Sequence, residues 1–77
     1  MNSLLSRALE LQHAARELMY LGMDGEPIYS DIFCRQNKEV LVKSDSLFSV
    51  KSSDIEEEAH LCLALLMGYN ATIYNYG

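Results

Sequence analysis

A long apolar segment that begins near Asp54 constrains the fold more than any other part of the sequence. Its residues recur at intervals of four and three, which keeps them on one face of a helix: Ile55, Ala59, Cys62, Leu66, Tyr69 and Ile73. Three leucines make the other sides apolar as well: Leu61, Leu63 and Leu65. The pattern predicts a helix over about 54–69, which extends to about residue 74 if Gly68 is tolerated inside it for close packing. It places the four-three stripe in the core, so truncation of Leu66 should destabilise the fold.

The start of this helix carries a capping signal. Ser53 and Glu56 have the spacing of a capping box, in which the serine hydroxyl and the glutamate carboxylate each accept a hydrogen bond from a backbone amide. Glu57 and Glu58 add negative charge to the first turn, where the helix dipole favours it. We therefore expect Ser53 to be the N-cap.

An amphipathic helix is predicted at the N-terminus, over about 3–21. Its apolar stripe also follows the four-three spacing: Leu4, Ala8, Leu11, Ala15 and Leu18. Asn2 or Ser3 can cap its start, and Gly22 can end it in a left-handed conformation. The opposite face is polar and is expected to be solvated: Arg7, Glu10, His13 and Glu17.

A turn-rich connection over 22–30, with Pro27 and the pair Asp24-Gly25, precedes a second predicted helix over about 31–49. The helix can be capped by Ser30 or Asp31. Its expected buried stripe consists of residues that recur every seven positions: Cys34, Leu41 and Phe48. An apolar residue precedes each of them: Phe33, Val40 and Leu47. Because Val40 to Val42 have strand propensity, a short strand over 39–43 remains an alternative.

The length of the chain bounds the architecture. At 77 residues and 8.7 kDa, residues 1–77 are expected to be one helical domain or a piece of one, with a small core. Three helices with short connections predict an all-α, three-helix antiparallel bundle. The third helix is apolar on more sides than two amphipathic partners can cover. We expect further helices or dimerisation to complete the bundle.

Charge and composition exclude several classes of protein. The net charge of −5 disfavours direct binding to nucleic acid. The most apolar window, 59–67, has about half the length that a membrane span needs. The sequence shows no export signal, which favours the cytoplasm, where thiols stay reduced. We therefore expect Cys34 and Cys62 to be buried free thiols.

Two Glu-x-x-His pairs resemble the ligand pairs of di-iron bundles: Glu10 with His13, and Glu57 with His60. Both pairs point away from the predicted stripes, whereas metal ligands in such bundles face inward. Cys34 has no histidine base on its side of the predicted helix. No catalytic, cofactor or metal site can be assembled, so the sequence indicates a protein that is not an enzyme.

The side chains best suited to contact a partner are tyrosines. Five tyrosines and four methionines in so short a chain are the adaptable, amphipathic residues that protein interfaces favour. The candidate partner-binding residues are Tyr29, Tyr69, Tyr74 and Tyr76. The alternative for each tyrosine is a packed ring with a solvated hydroxyl.

Two segments, 21–31 (LGMDGEPIYSD) and 56–74 (EEEAHLCLALLMGYNATIY), resemble the UpxZ family of regulators encoded in bacterial capsular polysaccharide loci. The resemblance implies an antagonist of transcription antitermination. It implies a NusG-like antitermination factor, belonging to another capsule locus, as the partner. Family members generally continue beyond residue 77, so the chain is expected to be the N-terminal part of a longer family domain. The resemblance assigns no functional residue.

Overall fold

Three helices account for most of residues 3–72, the part of the chain that the computed structural model describes. They are α1 (Leu4–Met23), α2 (Asp31–Leu47) and α3 (Ile55–Ala71), and each packs against the other two. The predicted all-α bundle is confirmed. Residues 39–43 are helical, so the alternative of a strand there is wrong.

The buried face of α1 is the one that the sequence predicts. Ala8, Leu11, Ala15 and Leu18 are buried, and Leu4 packs against them. The Ser3 hydroxyl caps the helix by accepting a hydrogen bond from the amide of Ser6 at 3.0 Å. The interpretation of this helix from its amphipathic spacing is therefore confirmed.

The end of α1 differs from the prediction. The helix continues through Gly22 to Met23, and the left-handed glycine is Gly25, with φ of 90°. The amides of Asp24 and Gly25 still bond to carbonyls of the last turn. The chain turns at Gly25, so the expectation that Gly22 ends the helix in a left-handed conformation is wrong.

The buried stripe of α2 lies one position away from the predicted one. Phe33, Val40, Ser44 and Leu47 are buried, whereas Cys34 and Phe48 are exposed. A shift of one residue rotates a helix face by about 100°. The choice of Cys34, Leu41 and Phe48 as the stripe is therefore wrong, and so is the expectation that both thiols are buried, because Cys62 is also exposed.

Asp54, not Ser53, is the N-cap of α3. Its carboxylate accepts a hydrogen bond from the amide of Glu57 at 2.9 Å. The hydroxyl of Ser52 accepts from the amide of Asp54 and donates to the Glu57 carboxylate. The capping motif thus lies one residue further along than expected, with Ser52 bridging the cap and the first turn.

The cap gives a first prediction. We expect Asp54→Ala to lower the free energy of unfolding by about 1 kcal/mol, because the amide of Glu57 loses its acceptor. Ser53→Ala should change it by no more than about 0.5 kcal/mol, because Ser53 is exposed. Both changes in unfolding free energy are measured as shifts of the urea denaturation midpoint, provided that the dependence of this free energy on urea concentration is unchanged. A larger loss in Ser53→Ala than in Asp54→Ala would contradict the cap assignment.

The buried face of α3 consists of small residues and one leucine. Leu61, Ala64 and Gly68 are buried, whereas Ile55 and Leu66 are 88% and 64% exposed. A Cβ atom at Gly68 would overlap the Ser44 hydroxyl and lie 3.3 Å from Leu11 Cδ1. The prediction of close packing at Gly68 is therefore confirmed, but the predicted core stripe of α3 is wrong, because this helix turns its four-three stripe outward.

One polar pair connects α1 and α3 inside the bundle. Gln12 is buried, and its amide group donates to the His60 carbonyl at 3.1 Å and lies 3.3 Å from His60 Nδ1. Because the amide nitrogen is the donor to both, Nδ1 acts as an acceptor. His60 is thus held by α1 at the side of α3 and faces away from the exposed stripe.

Candidate protein-binding surface

The side of α3 that faces away from the bundle carries an exposed apolar stripe, which we call the outer stripe: Ile55, Ala59, Cys62, Leu66 and Tyr69. The first four are exposed and Tyr69 is half-buried. Leu63 lies beside them and is also exposed. A surface helix normally presents polar residues to water on this side. The outer stripe is therefore the feature of the described chain that most needs an explanation.

A shallow groove widens the outer stripe where α2 ends. It has a volume of about 290 Å³ and is lined almost entirely by apolar side chains: Phe48, Cys62, Leu65, Leu66, Tyr69 and Asn70. Phe48 is 68% exposed and meets the Tyr69 ring edge to face, with 6.1 Å between the ring centres. An open groove of this kind suits an apolar side chain of another protein better than a polar metabolite.

Tyr69 is the one predicted partner-binding residue that the structure places at this groove. Its hydroxyl donates to Asp45 Oδ1 at 2.6 Å, which links the last turns of α2 and α3. Tyr29 is 83% exposed but lies before α2, about 25 Å of helix away from Phe48. Tyr74 and Tyr76 lie outside the described residues. The structure therefore does not bring Tyr29 and Tyr69 together.

Negative charge gathers at the first turn of α3. Glu56 is exposed, and Glu58 is half-buried with its carboxylate accepting from the amide of Ser52 at 2.8 Å. The Cys62 thiol lies 3.8 Å from the same carboxylate. From residue 59 to residue 72 the chain has no Asp, Glu, Lys or Arg. The outer stripe is thus acidic at one end and uncharged along the rest.

The Glu-x-x-His pairs lie on different surfaces of the bundle. His13 is exposed and lies 3.5 Å from Glu17 on its own helix, whereas His60 faces Gln12. Within residues 3–72, no group of three or more His, Cys, Asp or Glu side chains lies close enough to hold a metal ion. No helix in this part of the chain is both long and apolar enough to cross a membrane.

The sequence interpretation missed Phe48 and the outward direction of the outer stripe, since both were assigned to the core. The signal that finds the outward direction of the stripe is the placement of small residues on α3, and it says nothing about Phe48. The side chains of Ala64 and Gly68 are too small to fill a core, but they let another helix approach closely. Had they defined the buried side of α3, Leu66 on the opposite side would have been predicted to be exposed.

Comparison with known proteins identifies the family. A model of the UpxZ family of transcription anti-terminator antagonists matches residues 8–77. The crystal structure of a transcription anti-terminator antagonist UpxZ from Bacteroides uniformis ATCC 8492 matches 99% of the chain at 74% identity, with a TM-score of 0.83. The match covers 46% of that protein, so the present chain spans less than half of its length. None of the curated proteins matches the chain significantly. The chain therefore belongs to the UpxZ family of transcription anti-terminator antagonists.

Proposed function

We propose that the chain is a non-enzymatic regulator that binds NusG-like antitermination factors of heterologous capsular polysaccharide loci and thereby inhibits them. It acts in the cytoplasm, where its partner works on transcription. The observation that carries this proposal is the exposed apolar surface of α3 and Phe48 in a member of an antagonist family. Exposed apolar patches of this kind are typical of protein-binding sites.

The proposed mechanism is stoichiometric contact. Within residues 3–72 no group of three or more His, Cys, Asp or Glu side chains could hold a metal ion, and we propose that binding itself is the inhibitory step. The net charge of −5 makes direct competition for nucleic acid unfavourable and speeds encounter with a basic protein. Tyr69 contributes through the groove, and we propose Tyr29, Tyr74 and Tyr76 as further contacts.

A binding measurement tests this proposal. Purified chain is titrated by calorimetry with one cognate antitermination factor and with several factors from other capsule loci. We expect one-to-one binding to the heterologous factors and weak or no binding to the cognate one. A parallel transcription assay should show loss of readthrough at the same molar ratio. Absence of binding to every factor would refute the proposal.

The outer stripe also favours a second candidate function, a structural module that forms a homodimer and has no regulatory role. Its four-three spacing is that of helices that pair with each other. Sedimentation equilibrium distinguishes the two. A dimer that persists unchanged when an antitermination factor is added supports the structural module, whereas a monomer that forms a complex with the factor supports the regulator.

A further inference from the structure

We propose that the outer stripe of α3 binds an α-helix of the partner, and that this helix carries Lys or Arg where it passes the first turn of α3. The identity of the partner as an antitermination factor rests on the function proposed above. The helix-binding property of the surface rests on the spacing, exposure and charge of the residues described here.

The spacing of the outer stripe selects a helix as the bound element. Its members recur at intervals of four, three, four and three, the seam along which two helices pack side by side. From Ile55 to Tyr69 the seam runs for about 21 Å, enough for about four turns of a partner helix. A peptide that binds by strand addition would instead need the free edge of a sheet, and residues 3–72 contain no strand.

The groove gives this seam a wall on one side. Phe48 stands beside Tyr69 and Leu66 at the end of α2, so a helix lying along the stripe would also contact the Phe48 ring. The Tyr69 hydroxyl bond to Asp45 holds that corner in place before a partner arrives. A preorganised aromatic corner lowers the entropic cost of binding.

Charge selects a basic helix over a second copy of this chain. Glu56 and Glu58 flank the first turn of the outer stripe, at positions that set partner choice in paired helices. A second copy would present its own α3, which has no Lys or Arg anywhere along its length, and would bring a further charge of −5. A partner helix with Lys or Arg at its flanking positions supplies the opposite charge that a second α3 lacks.

The experiment uses two synthetic amphipathic 15-residue peptides with the same leucine seam. One carries Lys at its flanking positions and the other carries Glu. Fluorescence anisotropy at low salt measures the binding of each peptide to the complete 77-residue chain. We expect the Lys peptide to bind at least about tenfold more tightly than the Glu peptide. Equal affinities of the two peptides would overturn the charge argument.

Matched variants locate the binding surface. Leu66→Ser should weaken binding of the Lys peptide about tenfold or more, because it removes an apolar contact at the centre of the seam. Val42→Ser is the control, since Val42 on α2 is 58% exposed against 64% for Leu66. It should change the affinity less than about twofold. Glu56→Lys should remove most of the preference for the Lys peptide, because the new lysine offsets the charge of Glu58 at the first turn. Circular dichroism verifies that each variant is folded.

Other occupants of the outer stripe would overturn the proposal. One is a second copy of the chain, which sedimentation would reveal as a dimer that Leu66→Ser dissociates. Another is displacement of the Lys peptide by the part of the Bacteroides uniformis protein outside the match, added as a separate fragment.

If an antitermination factor binds Leu66→Ser as tightly as the unaltered chain, the helix site is refuted and the proposed function stands. If the Lys peptide binds through Leu66 but no factor binds, the helix site stands and the proposed function is refuted.

Discussion

Leu61→Ala is expected to lower the free energy of unfolding by about 2–5 kcal/mol, the largest effect of a single substitution that we predict. Leu61 is 1% exposed and belongs to the core cluster that also contains Leu11, Leu18 and Leu47. Truncation removes apolar contacts and leaves a cavity that a close-packed interior fills only in part. Because small domains are marginally stable, this loss is a large fraction of the total.

Thermal unfolding followed by circular dichroism measures the loss. Each 1 kcal/mol lowers the Tm of a domain of this size by about 4–8 °C, so Leu61→Ala should lower the Tm by about 8 °C or more. Leu66→Ala is the matched control on the same helix, and its effect should stay within about 0.5 kcal/mol because Leu66 is mostly exposed. If Leu66→Ala is the more damaging substitution, the orientation of α3 is wrong.

The orientation of α3 could not be predicted from periodicity because the helix has apolar residues on nearly every side. The stripe through Ile55 and Leu66 fits a helical period well, but a period does not say which side meets the bundle. Burial follows the side with Ala64 and Gly68, where the chain can approach Ser44 and Leu11. Shape, rather than hydrophobicity, therefore determines the packing of this helix.

α1 could be predicted because its two sides differ in chemistry. Apolar residues follow one side, and charged residues such as Glu10 and Glu17 follow the other, so one orientation alone hides the apolar side. α2 lies between these cases. Apolar residues occupy two adjacent positions in each of its heptads, such as Val40 beside Leu41, so the period fits two faces and does not decide which of them is buried.

The sequence predicts an excess of apolar residues on the third helix, and the structure shows which of them are exposed. What covers these residues, and their role in binding a partner, stay predictions. The tyrosines were chosen by residue type alone, which does not distinguish Tyr29, exposed before α2, from Tyr69, held at the groove by Asp45. Residue type alone does not show which tyrosines lie together on one surface. The fold is needed for that.

Gly68→Ala is the second large effect that we expect, a loss of about 1–3 kcal/mol in the free energy of unfolding. The new methyl group would overlap the Ser44 hydroxyl, which is fully buried, so the side chain or the helix must shift. An alanine within a helix is ordinarily more favourable than a glycine by about 1 kcal/mol. A measured loss therefore means that the steric cost at the crossing of α2 and α3 exceeds the gain in helix propensity.

A double-mutant cycle with Ser44→Ala separates these two terms. The Ser44 hydroxyl is buried and has no hydrogen-bond partner among residues 3–72, so its removal alone should be neutral or stabilising. In the Ser44→Ala background the methyl group at position 68 meets a Cβ atom at 3.4 Å, an ordinary contact, and Leu11 needs to shift only slightly. Gly68→Ala should then cost nothing or stabilise the fold, with a coupling energy above about 1 kcal/mol between the two sites. Additive effects of the two substitutions, measured by urea denaturation, would show that Ser44 and Gly68 are not in contact and that α3 crosses α2 elsewhere.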